Sequence, residues 1–117
     1  MSTKHFKDSE FACKCGCGLA SPDPELLQVL ELIRAGIGNH PIFVNSGCRC
    51  ESHNSNVGGS QNSQHLHCKA ADIWSNHATP DEISFIANQV IGLRGGIGVY
   101  ETFCHIDVRE TMSRWSG

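Results

Sequence analysis

Residues 79–108 read TPDEISFIANQVIGLRGGIGVYETFCHIDV, and both periods of regular secondary structure occur within them. Thr79-Pro80-Asp81-Glu82 carries the signals of a helix start: a capping hydroxyl, proline in the first turn and acidic residues near the positive end of the dipole. Ile83, Ile86, Ala87, Val90 and Ile91 then recur at helical spacing and form one apolar face, which Gly95-Gly96 should break. Beyond the glycines the period falls to two. Ile97–Tyr100 and 103–108 read as strands joined by Glu101-Thr102, an antiparallel hairpin. In the second strand Phe103, His105 and Asp107 share one face, and Cys104, Ile106 and Val108 share the other.

The same reading extends upstream. Ala70–Trp74 is a short strand, preceded from Cys48 to Gln64 by a Ser-, Asn-, Gly- and His-rich stretch that cannot build a core and should be loop with at most a helical turn. A loop this long in a small domain is commonly functional. Pro41–Ser46 is a strand running into the Ser46-Gly47 turn. Before it, Ser21-Pro22-Asp23-Pro24 opens a helix whose stripe is Leu26, Leu30, Ile33 and Ile37, closed by Gly36 or Gly38. Residues 1–20 form an arm ending in the turn CKCGCG. The expected architecture is α+β, a small antiparallel sheet with helices packed on it, in one domain spanning 1–117.

Composition narrows the function classes. Apolar residues make up 39% of the 117, below the usual share of about 45–50%, yet they cluster enough to form a core. Two Trp, one Tyr and five Phe give few large anchors, so a bound metal is expected to contribute to stability. The formal charge is −3 with both signs interspersed, and no basic stripe exists to neutralise a phosphate backbone, so nucleic acid is not an expected partner. No apolar run approaches the roughly 20 residues that span a bilayer. The opening MSTKHFKDSEF has no apolar signal region, so a cytoplasmic location at synthesis is expected. Seven cysteines, an odd number, cannot all pair within one chain. In a reducing compartment they point to metal or free thiols before disulfides. Cys13, Cys15, Cys17 and Cys50 are candidate structural cysteines, either as a second zinc site or through a bridge from the N-terminal group to Cys48 or Cys50. Buried apolar thiols are the bland alternative.

The chemistry-bearing residues lie in VNSGCRCESHNSNVGGSQNSQHLHCKAADI, residues 44–73, and in FCHIDVR, 103–109. An extended chain would hold His65 and Asp72 about 23 Å apart, whereas zinc needs donors at about 2 Å. A turn must therefore separate them, with His65 in the loop, Asp72 on the strand and His105 arriving from a neighbouring strand. Two imidazoles, one carboxylate and an open fourth position suit a catalytic zinc. Cys104 and His105 could suggest a thiol peptidase, but adjacent strand residues face opposite ways.

Ser63-Gln64-His65-Leu66-His67-Cys68-Lys69-Ala70-Ala71-Asp72 resembles S-x-H-x-x-G-x-A-x-D, the zinc motif of the D-Ala-D-Ala carboxypeptidase family of metallopeptidases (peptidase family M15), which shares its fold with hedgehog signalling domains. Cys68 replaces the motif's Gly. The family's S-G-Y-R corresponds to Ser46-Gly47-Cys48-Arg49, with Cys for Tyr. His53-Asn54, Val57-Gly58-Gly59 and the closing His105-Ile106-Asp107 are similar too, followed by Arg109 and Trp115. The likeness covers about residues 5–115 and is greatest to short phage and bacterial members. It implies zinc held by His65, Asp72 and His105. It also implies that Arg49 binds a substrate carboxylate through its guanidinium fork, where the residue alone would suggest a surface salt bridge, and that Ser46 and Ser63 assist. Asp107 is the first candidate for general base, with Glu101 and His67 as rivals; Asp107 could instead orient an imidazole.

The expectation is thus a zinc-dependent peptidase of peptidoglycan stem peptides, a D,D-carboxypeptidase or an endolysin-like endopeptidase, monomeric and reaching the cell wall after release, in a phage, prophage or host setting. The alternative is a non-catalytic zinc-binding module on the same scaffold.

Overall fold

A computed structural model describes residues 2–117. Helix α1 (Pro24–Gly36) begins where Asp23 accepts a hydrogen bond from the Glu25 amide, satisfying one orphan donor of the first turn. Helix α3 (Pro80–Ile91) begins in a reciprocal capping box between Thr79 and Glu82. It ends earlier than Gly95-Gly96, because Gly92, at φ +64°, turns the chain out of the helix first. The polar stretch after Cys48 contains helix α2 (Glu51–Asn56) and a single helical turn at Gln64–His67.

Five strands form one sheet in the order β1-β2-β4-β3-β5, with β1 (Phe43–Ser46), β2 (Ala70–Trp74), β3 (Gly96–Val99), β4 (Cys104–Asp107) and β5 (Ser113–Ser116). The fold class is α+β as expected, but the sheet is mixed: β5 runs parallel to β3, while every other pair is antiparallel. The reason is local. The chain leaves β4 at Asp107, beside Gly96 at the start of β3, and residues 108–112 carry it past that end of β3. β5 therefore starts level with β3 and must run the same way.

One face of the sheet carries Ala71, Ile73, Ile97, Cys104 and Ile106 into a shared core with Leu26, Leu30 and Ile33 of α1 and Ile83, Ala87 and Ile91 of α3. The N-terminal arm joins this core through Phe6 and Phe11, both buried. The Phe11 carbonyl accepts from the Cys48 amide. A Cβ on Gly47 would lie 2.6 Å from the Phe11 Cα, so the arm passes Gly47 at a distance that no other residue type permits there. No helix among the described residues is long and apolar enough to cross a membrane.

A disulfide links Cys48 and Cys68. It excludes one of the alternatives left open, a bridge from the N-terminal cysteines to Cys48, and it unites the two positions at which cysteine departs from the motifs. Cys68 closes the turn after His65 at φ +56°, in the left-handed region. A side chain there costs about 1–2 kcal/mol, whereas a cross-link over 20 residues contributes about 3 kcal/mol. The cross-link outweighs the strain. In a Cys48→Ala background, Cys68→Gly should therefore be more stable than Cys68→Ala by about 1 kcal/mol, while both lie below the oxidised parent in denaturant titrations.

Candidate metal centre

The face of the sheet away from the helices carries the functional side chains in one straight row. Ser46 of β1 lies opposite Asp72 of β2, Asp72 opposite His105 of β4, His105 opposite Gly98 of β3, and Gly98 opposite Trp115 of β5. Direct cross-strand partners bring their Cβ atoms to about 5 Å, so the row alone sets Asp72 and His105 side by side. An irregularity between Val44 and Ser46 turns Ser46 onto this face. Gly98 has no side chain, and a Cβ there would collide with the Trp115 indole. The ring instead lies over the glycine, with its centroid 5.1 Å from that of His105.

His65 reaches the row from the turn at Gln64–His67, where its amide donates to Ser63 Oγ. His65 Nδ1 donates to the Gly47 carbonyl at 2.6 Å, which leaves Nε2 facing Asp72 Oδ1 at 3.3 Å. His105 presents Nδ1 to the same oxygen at 3.0 Å, while its Nε2 donates to Asp107 Oδ2 at 2.8 Å. One ligand atom from each of the three residues falls within a 4.8 Å span, and all three are buried. In a tetrahedron with bonds of about 2.0–2.1 Å the donors stand about 3.3 Å apart. Two imidazole nitrogens and a carboxylate oxygen at these separations fit zinc. Each histidine also has its second nitrogen engaged, which fixes the tautomer as metal ligation requires. Burial would raise the Asp72 pKa, but its contacts with the His105 and His65 rings outweigh it and hold the carboxyl well below its usual range.

Asp107 does not have the placement of a base that meets substrate. It is fully buried. Oδ1 accepts from the Gly96 amide and from the Arg109 amide and Nε, and Oδ2 accepts from His105 and Arg109 Nη2. Burial opposes its charge, yet the bonds from His105 and Arg109 keep it ionised far below the ordinary carboxylate pKa. A Cβ on Gly96 would strike this carboxylate, so glycine is required opposite it. This placement fits the second of the two roles that its sequence position left open, holding the His105 ring, better than the first. His67 and Glu101 are exposed and lie outside the cleft lining.

The cleft over the three residues has a volume of about 490 Å³. Its polar wall comes from Arg49, Ser63 and Gln64, and its aromatic wall from Tyr100, Phe103 and Trp115. Of the aromatic wall only Trp115 was singled out in the sequence, while Tyr100 and Phe103 went unread; the one available signal for them was that they flank the hairpin turn. Arg49 is no surface salt bridge. Nε donates to Ser46 Oγ at 3.1 Å, Nη1 to Asn54 Oδ1 at 3.2 Å, and Nη2 stands 3.5 Å from Asp72 Oδ2. Ser46 is thus placed behind Arg49 as its support, and Asn54, buried at the end of α2, is a second support. Cys68 is bonded to Cys48 and cannot compete for metal. Burial, with Asp72 nearby, pushes the Cys104 thiol up to about 12; it faces the core, not His105.

The Peptidase M15 family model matches residues 4–107, and the chain belongs to that family. A 44-residue stretch is 48% identical to the zinc D-Ala-D-Ala carboxypeptidase of Streptomyces albus G, covering 38% of this chain and 17% of that protein. The chain therefore spans a minor part of this curated relative's length.

The role of Asp107 is open to direct measurement. Asp107→Asn should weaken zinc affinity about 10- to 100-fold, read by competition against a chromophoric chelator. Undiminished affinity together with lost turnover would return Asp107 to the role of base.

Proposed function

We propose that this chain is a zinc-dependent peptidase that cleaves peptidoglycan stem peptides at an amide whose leaving residue carries a free α-carboxylate. The observation carrying this reading is the position of Arg49. Its guanidinium stands 3.5 Å from Asp72, in the same cleft as the two histidines. A carboxylate gripped there lies within one residue of a carbonyl placed over His65, Asp72 and His105. Two stem-peptide bonds meet that condition. In D-Ala-D-Ala the leaving residue ends the chain, and in L-Ala-D-Glu the γ-linked glutamate keeps its α-carboxylate free. The same geometry serves a D,D-carboxypeptidase or an L-alanyl-D-glutamate endopeptidase, and it disfavours cleavage in the middle of an ordinary α-linked peptide.

When bound by the three residues, zinc supplies Lewis acidity and lowers the pKa of a coordinated water to about 7. The chain's own groups provide the rest. Ser46 and Asn54 hold the Arg49 fork in place, so little side-chain entropy is lost when it takes up the carboxylate. Arg109, paired with Asp107, lies 5.5 Å from the Trp115 ring and closes the far wall. Tyr100 stacks on Phe103 at 4.5 Å and accepts from Trp115 Nε1 at 2.9 Å, giving a rigid apolar shelf that limits water around the scissile bond. Glu101 is the carboxylate on the turn between these two cleft-lining aromatics and takes the role of proton shuttle, reaching inward over bound substrate. Action on the wall after release from the cell, in a phage or prophage lysis setting, completes the reading.

The exposed position of Glu101 also favours a second reading, a zinc-binding module without turnover, because no carboxylate other than Asp72 lines the cleft among the described residues. Mass analysis of a muropeptide digest separates the two and identifies the bond. Arg49→Ala should retain zinc and lose about 10- to 100-fold in kcat/KM, the equivalent of a charged hydrogen bond. Amidating the leaving residue's α-carboxylate should cost the wild type a similar factor and the variant nothing; equal losses in both would remove Arg49 from substrate binding. Glu101→Gln should lower kcat at least 100-fold with zinc retained. Full turnover in this variant would exclude Glu101, and absence of cleavage by zinc-loaded wild type would establish the binding module.

A further inference from the structure

We propose that Cys13, Cys15, Cys17 and Cys50 hold a second zinc ion, a closed structural site separate from the His65–Asp72–His105 centre. Four Sγ atoms, three from the CKCGCG turn and one from the first residue after Arg49, fall within a 4.8 Å span. Cys13 lies 3.5 Å from Cys15 and 3.9 Å from Cys50, and Cys15 lies 3.6 Å from Cys50. Bonds of about 2.3 Å in a tetrahedral thiolate site set the sulfurs about 3.8 Å apart. The observed separations match that spacing, not the bond of about 2.05 Å that a disulfide needs. The same chain shows the contrast, since Cys48 and Cys68 are bonded while these four sulfurs are not.

The backbone supports the site. Gly16 and Gly18 stand at φ +83° and +93° with open space around them, so the turn curls and directs three alternate cysteines at one point, where an extended strand would spread them. The Cys50 amide donates to Cys13 Sγ, and the His53 amide donates to Cys50 Sγ, each at 3.4 Å. Amides aimed at sulfur stabilise thiolate charge, as a site with four anionic ligands demands. With all four positions filled by sulfur, no place is left for water, so the role is structural. The odd cysteine count then resolves: two are bonded, four form the cluster, and Cys104 is buried alone.

The consequence reaches Arg49. Cys48 on one side of it is tied to Cys68 by the disulfide, and Cys50 on the other is tied to the arm by the cluster. Cys50 also caps α2, the helix that carries Asn54. The second zinc holds the arm, α2 and the substrate arginine as one unit.

Elemental analysis of the full chain, purified with zinc and desalted, should find two zinc ions per chain. His105→Ala should keep one, and Cys15→Ser/Cys17→Ser should keep the other. Cobalt loading should give a sulfur-to-cobalt charge-transfer band in the wild type and in His105→Ala but not in the cysteine variant. Should that variant fail to fold, titrating wild type with an organomercurial in the presence of a zinc indicator replaces it: reaction of four thiols should release one of two zinc ions. A single zinc per chain, iron in the cluster, disulfides among the four cysteines after alkylation and mass analysis, or two zinc ions retained without the thiols would each overturn the proposal.

Discussion

The pairing of Asp72 with His105 across β2 and β4 is the constraint from which the site follows. Side chains alternate along a strand, so a slip of one residue in this register would turn one strand over, sending either Asp72 or His105 into the apolar core and bringing Ile73 or Ile106 to the cleft. Burying an unpaired ionisable group is far costlier than any compensating gain, and exposing an isoleucine forfeits about 1.5–3 kcal/mol. The register is thus fixed by the core on one face and read out as chemistry on the other. The remaining elements adapt to it. The irregularity in β1 turns Ser46 toward Asp72, Gly98 leaves room for Trp115, and Gly96 leaves room for the Asp107 carboxylate.

Much of this was legible before any coordinates. The stripe Leu26, Leu30, Ile33 defined α1, and the alternation in 103–108 correctly placed His105 and Asp107 on one face and Cys104 and Ile106 on the other. The distance argument between His65 and Asp72 required a turn, and the turn is there at Gln64–His67. Three features were not legible. The parallel placement of β5 depends on which way a five-residue connection passes the end of β3, and local composition does not record that. The disulfide joins residues 20 apart in sequence, and cysteine spacing alone cannot assign connectivity. The surroundings of Asp107 are the third: its proximity to His105 is visible in the sequence, while its complete burial and its Arg109 partner are not.

The low apolar content finds its counterpart in cross-links. A small chain buries a limited fraction of its surface, and below-average hydrophobic content lowers the return from that burial further. Here the polar loop between β1 and β2, which carries Arg49, Ser63 and His65 of the cleft, has almost no core of its own. The Cys48–Cys68 bond ties its two ends together next to the strands, and Arg49 donates its amide to the His65 carbonyl at 2.9 Å across the same gap. His65 and Arg49, the one in the candidate metal centre and the other proposed to bind a carboxylate, are thus joined by backbone and by sulfur within a few residues of each other.

That arrangement bears on how cysteine can replace tyrosine and glycine in the motifs. Either change alone would be a loss: Cys48 gives up the apolar area of an aromatic ring, and Cys68 accepts a left-handed backbone that glycine adopts freely. Together they form a bond whose stabilising effect, about 3 kcal/mol, exceeds the conformational cost at Cys68. The two departures are therefore a single coupled change, and they lie where rigidity matters most, one residue from Arg49 and three from His65. A guanidinium held on a cross-linked segment loses less freedom on binding a carboxylate than one on a mobile loop, so the same bond that stabilises the fold also pre-orders Arg49 for the role proposed for it.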